Sequence, residues 1–239
     1  MKKPVAGLLF TCEHASNKIP RSLRRLFTGK SALLRSHRSW DAGALPVARS
    51  ISRAFKAPLV QGRHSRLVID LNRSLHHSNL FSEITKSASQ DTRAALIQRI
   101  YAPFRLKTRK LIKQFLLAHR RTVHFSIHSF TPSLDGVVRN CEIGILYDPQ
   151  KSEEKKLAAR LKQELSVLLP NARIRLNYPY KGSADGHTTH LRSLFSKNNY
   201  IGIELELNQA WLSHLKNKKT ERAKVYQCIA YAICTSISP

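Results

Sequence analysis

Two histidines stand at the ends of apolar runs. His14 follows Leu8-Leu9-Phe10-Thr11-Cys12-Glu13, and His128 follows Val123-His124-Phe125-Ser126-Ile127. Two imidazoles and one carboxylate hold zinc while leaving one position open, as a hydrolytic centre requires. A strand-end histidine is, on its own, as readily a hydrogen-bonded structural residue; two at equivalent ends make the stronger case. His124 shares the face of His128 in an extended run and reads as buried lining, with a ligand role the lesser alternative. Glu204 and Glu206 lie two apart in Ile201–Leu207, so they project to one face while Ile203, Leu205 and Leu207 take the other. A carboxylate among apolar walls beside a metal can take a proton from water. An edge strand with a solvated acidic face gives the same pattern, and spacing alone does not choose between the two glutamates. Arg66, Asn72 and Arg73 flank Val68-Ile69-Asp70 and could fork a substrate carboxylate. In a chain with 41 Lys+Arg, the competing reading of any arginine is plain surface charge. Asp70 is placed to hold Arg66 or Arg73. Ser129, next to His128, is a candidate substrate contact. The stretch 177–187 is rich in turn formers and aromatics and reads as a binding loop; His187 and His190 are its candidate contacts.

Residues so scattered must be gathered by a fold. Apolar β-rich runs alternate with helical patterns: strands are expected at Val5–Cys12, Pro58–Val60, Arg66–Leu71, Thr122–Ile127, Cys141–Tyr147, Arg173–Leu176 and Tyr200–Leu207. Helices are expected at Pro20–Phe27, Asp41–Phe55 with Asp41 near its start, Asp91 to about Arg120 with a kink or split at Pro103, Ser152–Leu168 and Thr220–Ile237. Strands separated by helices predict a three-layer α/β fold with a mixed, mostly parallel sheet flanked by helices, residues 1–239 forming one domain. Ligands of such sheets sit at the carboxyl ends of the strands, where these residues fall.

Composition narrows the partners. The chain has 239 residues, 42% of them hydrophobic, enough for a real core. No apolar run reaches the ~18 residues of a membrane helix. The apolar run at the N-terminus is short and followed by Glu13, so it reads as a core strand rather than a signal peptide. Four cysteines without a CxxC pair, three of them among apolar residues, read as free thiols in a reducing, cytoplasmic compartment. The 41 Lys+Arg against 15 Asp+Glu give a net charge of +26. Such a surface attracts polyanions whatever its fold, which keeps a nucleic-acid or polyanion binder as the alternative function. Against that alternative, no nucleic-acid motif is present.

The runs CEHASNKIP (12–20), Asp-Ala-Gly-Ala (41–44), SRLVIDLNR (65–73), SIHSFTP (126–132), NYPYKGSADG (177–186) and GIELELNQ (202–209) occur in this order. Together they resemble the N-formylglutamate amidohydrolase family, from about residue 8 to 209. The resemblance implies a zinc-exopeptidase-like fold and a zinc-dependent amide hydrolase acting on a small N-acyl amino acid. It implies one Zn²⁺, with His14 as first ligand and His128 as second. Arg66 matches the lone arginine, Asn72-Arg73 the carboxylate clamp, and Glu206 or Glu204 the catalytic base, Glu206 being favoured. Ser129 and His190 are further expected substrate contacts. Where the wider pattern has an acid three residues after the first histidine, this chain has Asn17. The third ligand is therefore expected from Asp41, or else Glu13. A family member with lost or altered catalysis is the remaining alternative.

Overall fold

A computed structural model describes residues 6–119, 121–196 and 198–238. In chain order the elements are β1 (Ala6–Cys12), a 3₁₀ helix (Arg21–Phe27), α1 (Ser31–Arg35), α2 (Ala44–Ala54), β2 (Leu59–Gln61), α3 (Glu83–Lys86), α4 (Gln90–Leu96), a π-helical stretch (Ile97–Tyr101) and α5 (Ala102–Ala118). There follow β3 (Arg121–Phe130), a small hairpin of β4 (Ser133–Leu134) and β5 (Val137–Val138), β6 (Ile143–Leu146), α6 (Ser152–Leu168), β7 (Ile174–Leu176), α7 (His187–Leu194), β8 (Tyr200–Asn208), α8 (Gln209–Lys216) and α9 (Lys219–Ile237). Six strands form a mixed sheet in the order β2-β1-β3-β8-β6-β7. Every neighbouring pair is parallel except β6 with β8.

The period-2 alternation of the central strands creates two unlike faces. Val123, Phe125 and Ile127 of β3 and Ile201, Ile203, Leu205 and Leu207 of β8 pack on α2, α6 and α9 through Val47, Leu161 and Ile233, among others. The opposite face carries His124, Ser126 and His128 on β3 and Glu204 and Glu206 on β8, all buried. Parallel pairing puts Ser126 opposite Glu204 and His128 opposite Glu206. A second apolar cluster, including Leu9, Val68, Phe104, Ile112 and Leu191, closes this side. Alternation thus delivers five polar side chains to one buried face.

Several expected elements differ in form. The run Arg66–Leu71 is a buried series of turns, not a strand. Its backbone is satisfied outside the sheet: Arg66 N–H donates to the Ser39 carbonyl, Asp70 N–H to that of Leu80, and the Ser82 hydroxyl to the carbonyl of Leu67. Its apolar residues plug the second cluster, and a short apolar run does not reveal which kind of burial it serves. Asp41 does not cap a helix. The helix starts at Ala44, after Gly43 with φ +85°, and the Asp41 carboxylate turns to the histidines. The long helix is interrupted just before Pro103: a π-helical turn, Ile97–Tyr101, separates α4 from α5, and Pro103 stands in the first turn of α5, where its missing N–H is tolerated. β3 runs past Ile127 to Phe130, so His128 and Ser129 are strand residues. Val5 and Arg120, at the ends of two expected elements, lie outside the described residues.

One glycine is fixed by this packing. A Cβ on Gly144 of β6 would lie 1.9 Å from the Tyr178 carbonyl oxygen and 3.3 Å from the Glu206 Cβ. Gly144→Ala must push the 177–186 loop off the sheet, at an expected cost of about 1–3 kcal/mol. Urea unfolding measures it; unchanged stability would show that the loop moves without cost.

Candidate active site

β1 ends in a turn bearing Glu13 and His14, β3 brings His128 alongside, and the turn before α2 brings Asp41. Backbone bonding locks the approach, since Asp41 N–H donates to the His14 carbonyl at 3.0 Å. Asp41 Oδ2 lies 2.8 Å from His128 Nδ1 and 3.4 Å from His14 Nδ1. One donor atom from each of the three falls within 4.8 Å of the others, and all three residues are buried. Tetrahedral zinc with bonds of about 2.1 Å spaces its ligand atoms roughly 3.4 Å apart, so the separations suit it.

The backs of the rings are held as well. His14 Nε2 donates to Asp70 Oδ1 at 2.6 Å. His128 Nε2 lies 3.3 Å from Glu13 Oε2 and 2.9 Å from the Ser126 hydroxyl, which itself donates to Glu13. Both imidazoles thus present Nδ1 to Asp41 and meet a carboxylate at Nε2, the arrangement that fixes the tautomer of a metal-ligating histidine. Arg66 closes the ring: its Nε and Nη2 donate to Asp70 Oδ2 at 3.1 and 2.8 Å, and Nη1 is 3.6 Å from Asp41 Oδ1. Its fork is therefore engaged by acids rather than open to substrate. Glu13, the second choice for third ligand, stands behind His128.

Electrostatics follow from this packing. Burial would depress the His128 pKa, but bonds to Asp41 and Glu13 and their charges raise it well above the usual imidazole value. His14 is raised too: burial and Arg66 oppose, and Asp70 and Asp41 prevail. Burial would raise Asp41, but the His14 charge and bonds from both rings hold it far below the carboxylate range. Without metal, then, the surrounding carboxylates favour the protonated imidazoles, and a dication must displace those protons where they are bound. Zinc affinity is expected to fall as pH drops from 8 to 6, by up to ~tenfold per pH unit for each imidazole that must deprotonate. Chelator competition across that range measures it; a flat affinity would mean that both rings are already neutral.

A cleft of about 190 Å³ opens beside the cluster, lined by Glu204, Glu206, Arg66, Asn72, Arg73 and Ser129 with Tyr180 and Lys181. Glu204 Oε1 accepts from the Thr188 hydroxyl, and its Oε2 lies 4.0 Å from His128 Nε2. Glu206 Oε2 is buried with no hydrogen-bond partner among the described residues. Burial, opposed by His128 but aided by the Asp41 and Glu204 charges, lifts the Glu206 pKa to about 7. Asn72 Oδ1 accepts from His187 N–H at 2.6 Å, capping α7, while Arg73 Nη1 donates to the Asp185 carbonyl at 3.1 Å. Ser129 Oγ donates to the Ala42 carbonyl and accepts from Gln209. His190 is placed elsewhere: exposed on α7, it lines a separate groove, because the chain turns helical at His187 and carries it away from the cleft. His187 is fully buried rather than a loop contact. His124 bonds Thr11 and Tyr200 through its two nitrogens, as lining does.

The family model described as N-formylglutamate amidohydrolase matches residues 6–212. The chain belongs to the N-formylglutamate amidohydrolase family. The solved structure of a gene product from Agrobacterium tumefaciens is 28% identical, with a TM-score of 0.77, covering 96% of this chain and 91% of that one. The structure of N-formylglutamate amidohydrolase from Ralstonia eutropha JMP134 is 13% identical, with a TM-score of 0.70, covering 98% and 94%, and shows the shared fold. No curated protein matches by sequence. Family and buried cluster together make this a metal-dependent amidohydrolase with a site for one zinc ion. No described helix is long and apolar enough to cross a membrane.

For this amidohydrolase, sequence reasoning missed Ser126, Thr188, Tyr180 and Lys181. The binding-loop composition pointed at the segment of the last two without singling them out. Ser126 and Thr188 carry no signal of their own; the strand register and the α7 start place them. Glu13→Gln removes the charge behind His128 and is expected to weaken zinc binding about 10–100-fold. Metal-buffered titration reads it, and unaltered affinity would reduce Glu13 to a packing role.

Proposed function

We propose that the chain hydrolyses the amide of an N-acyl amino acid of the N-formylglutamate type, releasing formate and the free amino acid. One observation carries the reading: two imidazoles converge through Nδ1 on one Asp41 oxygen beside a buried carboxylate, Glu206, whose Oε2 has no partner. His14, Asp41 and His128 would hold a zinc ion, which would supply a Lewis acid and make a nearby water more acidic. Glu206 Oε2 takes a proton from the attacking water and delivers it to the amide nitrogen as the C–N bond breaks. Arg73 and Asn72 hold the substrate carboxylate. Arg66 fixes Asp70, and so His14, and its charge on the cleft wall favours the developing oxyanion. Ser129 orients the substrate. The cleft lies below the ~300–1,000 Å³ usual for drug-sized ligands, which supports a substrate of amino-acid size.

The same reading takes residues 1–239 as one domain of zinc-exopeptidase-like architecture working in the cytoplasm; the unpaired cysteines support a reducing compartment. The test is release of glutamate from N-formylglutamate by zinc-loaded protein, with and without chelator. Activity that is lost on chelation and restored by zinc is the expected result. Turnover unaffected by complete removal of metal would overturn the reading.

A further inference from the structure

A second concavity, of about 490 Å³, lies on the other side of the Asn72–Ser74 segment, between α5 and α7. Ala102, Arg105, Leu106 and Arg109 form one face of α5 at helical spacing, and all four line it. Leu191 and Leu194 of α7 face them, and the loop residue Leu75 adds a third wall. Leu75, Leu106 and Leu194 are 49%, 42% and 44% exposed, which is unusual company for three leucines on one surface. No acidic side chain lines the groove; its titratable groups are Tyr101, Arg105, Arg109, His76 and His190.

Arg105 gives the groove its chemistry. Its side chain is buried, 8% exposed, and its guanidinium stacks on Tyr101 at 4.7 Å. Nη2 donates to the Leu71 and Arg73 carbonyls, while Nε is buried and unbonded. Among the described residues no carboxylate forms an ion pair with it. Glu13, Asp185 and Asp70 act on it only from a distance, and a guanidinium prefers a directly bonded carboxylate over two neutral carbonyls. An apolar trough without acidic lining, leading to a guanidinium that no carboxylate directly pairs, complements a ligand with an anionic head and a hydrocarbon body. The volume falls within the ~300–1,000 Å³ range of small-molecule sites.

We propose that this groove binds an amphiphilic carboxylate, its head at Arg105 and its alkyl chain along Leu75, Leu106 and Leu194. The site is distinct from the metal cleft and does not depend on the reaction assigned there. The experiment is calorimetric titration of zinc-loaded full-length protein with decanoate, decanol and acetate below micellar concentrations. Decanoate is expected to bind one per chain, decanol at least tenfold more weakly, and acetate undetectably. Leu106→Glu and Leu194→Glu set a like charge on the trough without touching Arg105. Each should weaken decanoate at least tenfold while leaving Tm and N-formylglutamate turnover as in the parent chain. The proposal is overturned if decanol matches decanoate, if neither variant weakens binding, if decanoate does not bind, or if it competes with N-formylglutamate for the metal cleft.

Discussion

Glu206→Gln is expected to lower kcat about 10²- to 10⁴-fold, the usual contribution of a positioned acid–base group, while zinc content stays at one per chain. The amide is isosteric and keeps the buried volume, but it cannot accept a proton and pass it on. Glu206 is singled out from Glu204 by its surroundings. Glu204 is bonded to Thr188, whereas Glu206 Oε2 is buried and unbonded. A carboxyl whose pKa burial has brought to about 7 is matched to taking and returning a proton near neutrality. Glu204→Gln, by contrast, should cost far less in kcat and show mainly as lost stability, since it weakens a buried bond to α7. Steady-state kinetics on both variants, with zinc measured in each, decide the matter. A larger kcat loss at Glu204 than at Glu206 would transfer the role.

Much of this was legible because alternation is a local rule. The spacing of Glu204 and Glu206 and that of His124 and His128 fix a shared face before any partner strand is known. The apolar halves of the same strands dictate which face turns to α2, α6 and α9. What alternation does not carry is register and distance. Asp41 and Asp70 reach the histidines through turns, and turns obey contacts remote in sequence. The apolar run 66–71 is buried without joining the sheet, which hydrophobicity alone does not signal. His190 shows the same limit. A loop rich in Gly and Tyr hides the onset of α7 at His187, and one helical turn suffices to carry His190 out of the cleft.

Asp41→Asn should have the largest effect on the metal. Asp41 is the single carboxylate that both Nδ1 atoms approach, and it also receives the Ser129 N–H and faces Arg66. The amide keeps one oxygen but loses the charge that offsets a dication, and its N–H₂ group repels the same ion. Breaking a buried charge pair by removing one partner costs about 3–5 kcal/mol, which sets an expected loss of zinc affinity of roughly 10²- to 10⁴-fold. Metal-free stability shifts as well, with a definite sign. The folded-state pKa of Asp41 is depressed, so its contribution is present above the unfolded carboxyl value and is lost as pH falls. The variant should therefore be less stable than the parent at pH 7, and the gap should narrow towards strongly acidic pH. Zinc binding by competition and urea unfolding at the two extremes measure both effects. The alternative ligand makes the outcome decisive: if Asp41→Asn retains tight zinc while Glu13→Gln loses it, the third ligand is Glu13, and Asp41 serves only to orient the two imidazoles.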